Sequence, residues 1–322
     1  MAKQLHCDRF LPRICLLLVC AISQASGQQL PDAPKANTLQ NVRHLLDVGQ
    51  LAESEKILRS YLNDHPQTAD ALFLLGYTLF REQRPKDSLV EFTEGAKFER
   101  PQKSDLKIVA ADYVLLGDFA DADKWLTLVT NESPEDADAW YLLGRAKYNE
   151  NRFQEAIQCF QRTLALRPKD VKAEDNLGLS YQGLNRLDDA RATFETAISW
   201  QNDLPVKDAQ PYLNLGILLV DQERPSQALS YLQQAAALAP HNPKVREQLG
   251  RAYNVLNMPD KAQLELEQAV ALAPEVSGLH FMLGQTYRRQ GMLQQAKQQF
   301  DICARLNSTH SSVETPNPVA QN

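Results

Sequence analysis

The sequence predicts an all-α chain built as a stack of antiparallel helix pairs that recur every 34 residues. Three observations predict it. Glycine returns at a fixed interval: Gly144 and Gly178, then Gly216, Gly250 and Gly284, with Gly76 and Ala110 earlier in the same phase. Twelve residues after each of these columns stands a small residue: Ser54, Ser88, Ala122, Ala156, Ala190, Ala228, Ala262 and Ala296. Four further on it is always large and apolar: Leu58, Phe92, Leu126, Phe160, Phe194, Leu232, Leu266 and Phe300.

Within one repeat, residues 137–170, each element has a local cause. Trp140, Leu143, Gly144 and Lys147 keep helix spacing until Asn151-Arg152 breaks the run. Ala156, Phe160 and Thr163 carry a second helical stripe, which ends at Pro168. The turn between the two helices holds Gly49, Gly117, Asn151, Asn185, Asn257 or Gly291, residue types that tolerate the left-handed conformation after a helix. Pro66, Pro134, Pro168, Pro240 and Pro274 close repeats and pre-set the next helix. A glycine inside a helix costs about 1 kcal/mol relative to alanine, so its recurrence implies close helix approach. The expectation is that the small residue of the second helix, such as Ala262, comes near the glycine backbone. One pair cannot bury its stripe alone, so several must stack.

The combination of Trp or Tyr, Leu-Gly, Tyr, Ala, Phe and Pro at these places resembles the tetratricopeptide repeat family. The repeats fall at 35–68, 69–102, 103–136, 137–170, 171–204, 209–242, 243–276 and 277–310, with four residues inserted at 205–208. The resemblance implies a right-handed superhelical solenoid over residues 35–310. A local change in curvature, rather than a domain boundary, is expected at the insertion. Residues 311–322 lack apolar periodicity and read as a disordered tail.

Residues 1–27 read as a secretory signal peptide. Lys3, Arg9 and Arg13 precede the apolar run Ile14 to Ile22, and small residues follow, so cleavage after Ala25 or after Gly27 fits. The apolar run is too short to span a bilayer. The expected location is periplasmic or secreted, without membrane insertion once the leader is lost. Losing Lys3, Arg9, Arg13 and Asp8 takes the formal charge from −6 to −8. Such a chain has no overall electrostatic reason to seek nucleic acid. Two cysteines would remain, Cys159 and Cys303, four repeats apart and too distant for a disulfide.

Catalytic and metal motifs are missing. There is no phosphate-binding glycine loop, no Gly-x-Ser-x-Gly, no His-Glu-x-x-His and no Cys-x-x-Cys. His44, His65, His241, His280 and His310 are scattered, and Asp118, Asp121 and Asp123 straddle a turn without calcium-loop spacing. No enzyme activity, cofactor or metal is expected.

The resemblance implies that first helices line a concave face which takes peptides or helical segments. On that face Phe73, Tyr77 and Phe80 share one stripe, and Tyr141, Arg145 and Tyr148 repeat the spacing two repeats later. Asn176 and Asn214 hold equivalent places in consecutive repeats, where relatives grip a peptide backbone; Lys172, Arg251 and Arg288 add positive charge. The clamp by which chaperone-binding relatives hold a terminal carboxylate is absent, since Leu39, Arg43, Phe73 and Tyr77 occupy its Lys and Asn places. The function expected is an exported protein-interaction scaffold in an envelope or secretion assembly. The alternative is a substrate-capturing subunit of a periplasmic enzyme, or the enzyme itself.

Overall fold

The computed structural model describes residues 33–202 and 204–313, and these are helical throughout apart from short connections. The signal-peptide reading at 1–27 lies outside them. The chain divides after Pro134 into two compact units. The first holds α1 (Ala33–Asp47), α2 (Leu51–Asp64), α3 (Ala69–Arg81), α4 (Pro85–Gly95), α5 (Lys103–Leu115) and α6 (Phe119–Glu132). The second opens with α7 (Ala137–Asn149), α8 (Phe153–Leu166), α9 (Val171–Gly183), α10 (Leu187–Ser199) and α11 (Gln210–Asp221). It continues with α12 (Pro225–Leu238), α13 (Pro243–Val255), α14 (Pro259–Leu272), α15 (Ser277–Arg289) and α16 (Leu293–Val313).

The helices pack in antiparallel pairs. In the pair α3/α4, Gly76 faces Phe92 while Gly95 faces Phe73, three residues back on one helix and three forward on the other. A β-carbon at Gly76 would lie 2.8 Å from the Phe92 ring. The same relation joins Gly144 to Phe160, Gly178 to Phe194, Gly216 to Leu232, Gly250 to Leu266 and Gly284 to Phe300. This corrects the sequence expectation. The side chain that needs the glycine is the large apolar residue of the partner helix, not the alanine four positions before it. The alanines from Ala122 to Ala262 are nonetheless fully buried, and so are Leu58, Leu126, Phe160, Phe194, Leu232 and Leu266. Core and repeat columns therefore coincide.

Within each unit, first helices also touch the first helix of the next repeat: α1 with α3 and α3 with α5, then α7 with α9 and onward to α15. Second helices form no such pairs. First helices thus make the inner face of each unit and second helices the outer one.

Left-handed turns close every pair. Gly49, Gly117, Asn151, Asn185, Asn257 and Gly291 all have positive φ, as their types allow. Gln83 (φ 63°) and Glu223 (φ 60°) occupy the same turn position, and sequence reasoning missed them because neither residue favours that region. Both side chains are exposed, so glycine there removes strain and little else. Glu223→Gly is expected to raise unfolding free energy by about 1 kcal/mol. A urea melt with an unchanged or lower midpoint would contradict this.

The inserted connection does not divide the second unit, since α10 packs on α11 across it. Gln201, 1 % exposed, accepts the Asp208 backbone N–H, and Asp208 in turn accepts from the N–H of Gln210 at 2.9 Å. At the other end, α16 runs to Val313. Residues 311–313 are therefore helical, against the tail reading, because α16 extends past the end of the last repeat; the rest of that reading, 314–322, lies outside the described residues.

Candidate peptide-binding cleft

The inner face of the first unit encloses an open cleft of about 740 Å³. Its walls come from three first helices: Arg43 from α1; Asp70, Phe73, Leu74 and Tyr77 from α3; Ser104, Asp105 and Ile108 from α5. Glu99 and Gln102, from the α4–α5 connection, form the rim. Helix periodicity explains the set, because residues three and four apart share a face.

The aromatic wall is held rigid from behind. Phe73 stacks on Phe92, ring centroids 6.0 Å apart, and its edge fits against Gly95, where a β-carbon would stand 2.5 Å away. It is half-buried, part core and part cleft. Tyr77 lies under the Arg81 guanidinium, 5.7 Å from ring centroid to carbon, and its hydroxyl accepts from Arg81 at 3.1 Å. Phe80, placed beside these two by sequence, is half-buried and outside the cleft lining.

Charge in the cleft is unbalanced. Arg43 donates to both oxygens of Asp70, at 2.6 and 2.7 Å, so that pair is complete. Asp105 accepts the Gln102 backbone N–H at 2.8 Å as part of a capping box, yet meets no cation among the described residues. Burial pushes its carboxyl up, the Gln102 bond opposes this, and the charges of Asp70 and Glu99 push it up further. Sequence reasoning found Phe73 and Tyr77 but missed these carboxylates, which stand outside the repeat columns.

In the second unit the remaining sequence-predicted residues meet different fates. Tyr141 packs on Phe160 at 6.0 Å and Tyr148 on Phe153 at 5.5 Å, and burial raises both hydroxyl pKa values. Arg145 and Lys172 are exposed. Asn176 donates to the Lys172 carbonyl at 2.8 Å and reaches Tyr141 Oη at 3.5 Å. Asn214, 5 % exposed, donates to both oxygens of Asp175 at 2.9 and 3.0 Å and accepts from Gln210 at 2.9 Å. Its amide holds a buried carboxylate rather than an open groove. Burial pushes Asp175 up to about 7 despite those bonds, and Asp208 adds to the shift; burial alone takes neighbouring Glu174 to about 7. Arg251 pairs with Asp221 at 2.7 Å, and exposed Arg288 lies 5.9 Å over Phe300. Cys159 and Cys303 are both thiols. Among the described residues no cluster has the composition of a metal site. No described helix is long and apolar enough to cross a membrane.

Antiparallel helix pairs stacked so that first helices share an inner face define a repeat scaffold, and comparison with known proteins gives the family. Family models of the tetratricopeptide repeat match residues 39–104, 137–170, 171–241, 219–275 and 277–310. The chain belongs to the tetratricopeptide repeat family, whose members act as protein-interaction scaffolds.

Among solved structures it resembles a tetratricopeptide repeat protein from Parabacteroides merdae, at 17 % identity and a TM-score of 0.65, covering 79 % of this chain and 99 % of that one. It also resembles PilW, a type IV pilus biogenesis factor, at 19 % identity and a TM-score of 0.57, covering 66 % and 95 %. At these identities the likeness concerns the fold alone. Curated relatives include the mouse protein O-mannosyl-transferases TMTC1, 24 % identical over 47 % of this chain, and TMTC3, 28 % identical over 39 %. The chain spans only 16 % and 15 % of their respective lengths.

Proposed function

We propose that this chain is an exported, non-catalytic scaffold that holds a peptide or helical segment of a partner protein, in a cell-envelope or secretion assembly. The observation that carries the reading is the cleft of the first unit, where the half-buried aromatic side chains of α3 meet carboxylates from α3, from the α4–α5 connection and from α5. A cleft of that size suits a short stretch of chain, and aromatic anchors backed by fixed packing are the usual source of affinity in such grooves. Lys3, Arg9, Arg13 and the apolar run after them support export. The acidic balance favours a protein partner over nucleic acid.

The test separates export from binding. N-terminal sequencing of the native protein is expected to begin at Ser26 or Gln28, in a periplasmic or extracellular fraction. Intact Met1 in the cytosol would end the export claim. A photo-crosslinker in place of exposed Ser104 is expected to trap a partner in the native host, whereas one at exposed Glu195 on α10 is not. Equal yields would end the claim for this cleft.

A further inference from the structure

We propose that the cleft of the first unit selects a partner segment in which an arginine or lysine adjoins a large apolar side chain, the cation meeting Glu99 and Asp105 and the apolar group lying against Tyr77, Leu74 and Ile108. This rests on the reading of the cleft as a binding groove and adds the chemistry of the occupant.

The charge inventory drives it. Three carboxylates line the cleft against one guanidinium, and that guanidinium is bound to Asp70. Cations near the rim are engaged elsewhere. Arg100 pairs with Glu132, and Lys103 donates to the Glu132 carbonyl at 3.0 Å and to Ser133. Arg81 lies over one face of Tyr77 and donates to its hydroxyl and to the Leu46 carbonyl, which leaves the other face of the ring to the cleft. Glu99 and Asp105 line the same cleft and keep no cation among the described residues, and the Glu99 charge disfavours the charged form of Asp105. An incoming cation removes that repulsion, while an incoming carboxylate adds to it. Neutral solvent does neither.

The apolar side of the choice follows from the faces of α3 and α5 themselves. Leu74, Tyr77 and Ile108 are half-buried and line the cleft beside Phe73, whose ring is fixed by Phe92 and Gly95. A long side chain laid there buries apolar surface without ordering the wall. An aromatic face beside carboxylates also suits a guanidinium, which can stack and form two hydrogen bonds at once.

The experiment uses the full chain and three labelled dodecapeptides. They share a Gly/Ser frame with one central Phe-Leu pair and differ in two flanking residues, which are Arg, Glu or Gln. Fluorescence anisotropy is expected to show the Arg peptide binding at least tenfold more tightly than the Gln peptide and the Glu peptide not at all. Raising salt from 50 to 300 mM is expected to erase most of that preference. Glu99→Gln with Asp105→Asn is expected to reduce the Arg peptide to the affinity of the Gln peptide. Tyr77→Ala is expected to weaken both by tenfold or more, with an unchanged helical circular dichroism signal. Equal binding of Arg and Gln peptides, both lost in Tyr77→Ala, would overturn the charge assignment and leave the groove reading standing. Failure of all three peptides at 1 mM would overturn the assignment, while the groove reading then stands or falls on the cross-linking. A concentration-dependent dimer abolished by Glu99→Gln would give the cleft to a second copy of the chain and overturn it too.

Discussion

Gly250→Leu is expected to lower the unfolding free energy by about 3 kcal/mol, the upper part of the range for overpacking a well-filled core. A β-carbon at that position would stand 2.6 Å from Leu266 Cγ and 2.8 Å from its Cδ2, with the Ala262 carbonyl oxygen 3.4 Å away. Leu266 is fully buried and cannot retreat to solvent. Gly250→Ala is a milder case, because about 1 kcal/mol of helix propensity opposes the clash. Gly278→Ala on α15 is the control, since nothing lies within 4 Å of its β-carbon position. It is expected to leave stability unchanged or slightly raised. The pair Gly250→Leu and Leu266→Ala is expected to be less damaging together than their separate effects predict, by about 1–3 kcal/mol. Urea melts of the four single variants and the double measure these differences. Strict additivity would mean that glycine and leucine are not one packing contact.

A second large effect is expected at Asp112. This side chain is wholly buried on α5, with Oδ2 2.6 Å from Ser88 Oγ and Oδ1 without a hydrogen-bond partner among the described residues. Ser88 Oγ also lies 2.8 Å from the Gly76 carbonyl. The hydroxyl has a single hydrogen. If it donates to Gly76, the contact with Asp112 forms only when the carboxylic acid donates to Ser88. Burial accordingly pushes Asp112 up to about 7, against a lowering by the Ser88 bond.

The sign follows from proton counts. Below pH ~4, folded and unfolded chains both carry the proton, and the contribution to stability is at its full value. Between pH ~4 and ~7 the unfolded chain releases a proton that the folded chain keeps, so stability falls as pH rises. Asp112→Asn keeps the shape and removes this slope. At pH 8 the variant is expected to be more stable by about 1–3 kcal/mol, the range for an unsatisfied buried polar group; at pH 4 the difference is expected to vanish. Glu174 and Asp175, both raised to about 7, give the parent further slope of the same sign. Thermal melts from pH 4 to 8 in which Asp112→Asn tracked the parent throughout would contradict the argument.

Helix pairs, buried columns and most turns were legible because each arises from a local rule repeated many times. Glycine at one place and Phe or Leu sixteen residues on are two halves of one contact, so periodicity exposes both. Gln83 and Glu223 were not legible, since their strained φ is imposed by the repeat frame rather than by their own preference. Asp112 with Ser88, and Asp175 with Asn214, left a fainter trace. Ser88 stands where most repeats have alanine, and its partner falls on the next helix to pack against it. A pair of departures on touching helices was the available signal. Glu99 and Asp105 gave none, because exposed or half-exposed acids are common on any acidic chain.

The helix contacts within each unit join only elements one or two places apart in the chain. Assembly therefore requires only short loops to close, and no contact waits for distant segments to find each other. Growth can begin at any well-packed pair and spread outward one neighbour at a time. Disassembly runs the same way, so protection against amide exchange is expected to be greatest along α11 to α13, where an extensive buried cluster lies, and to decline toward α16.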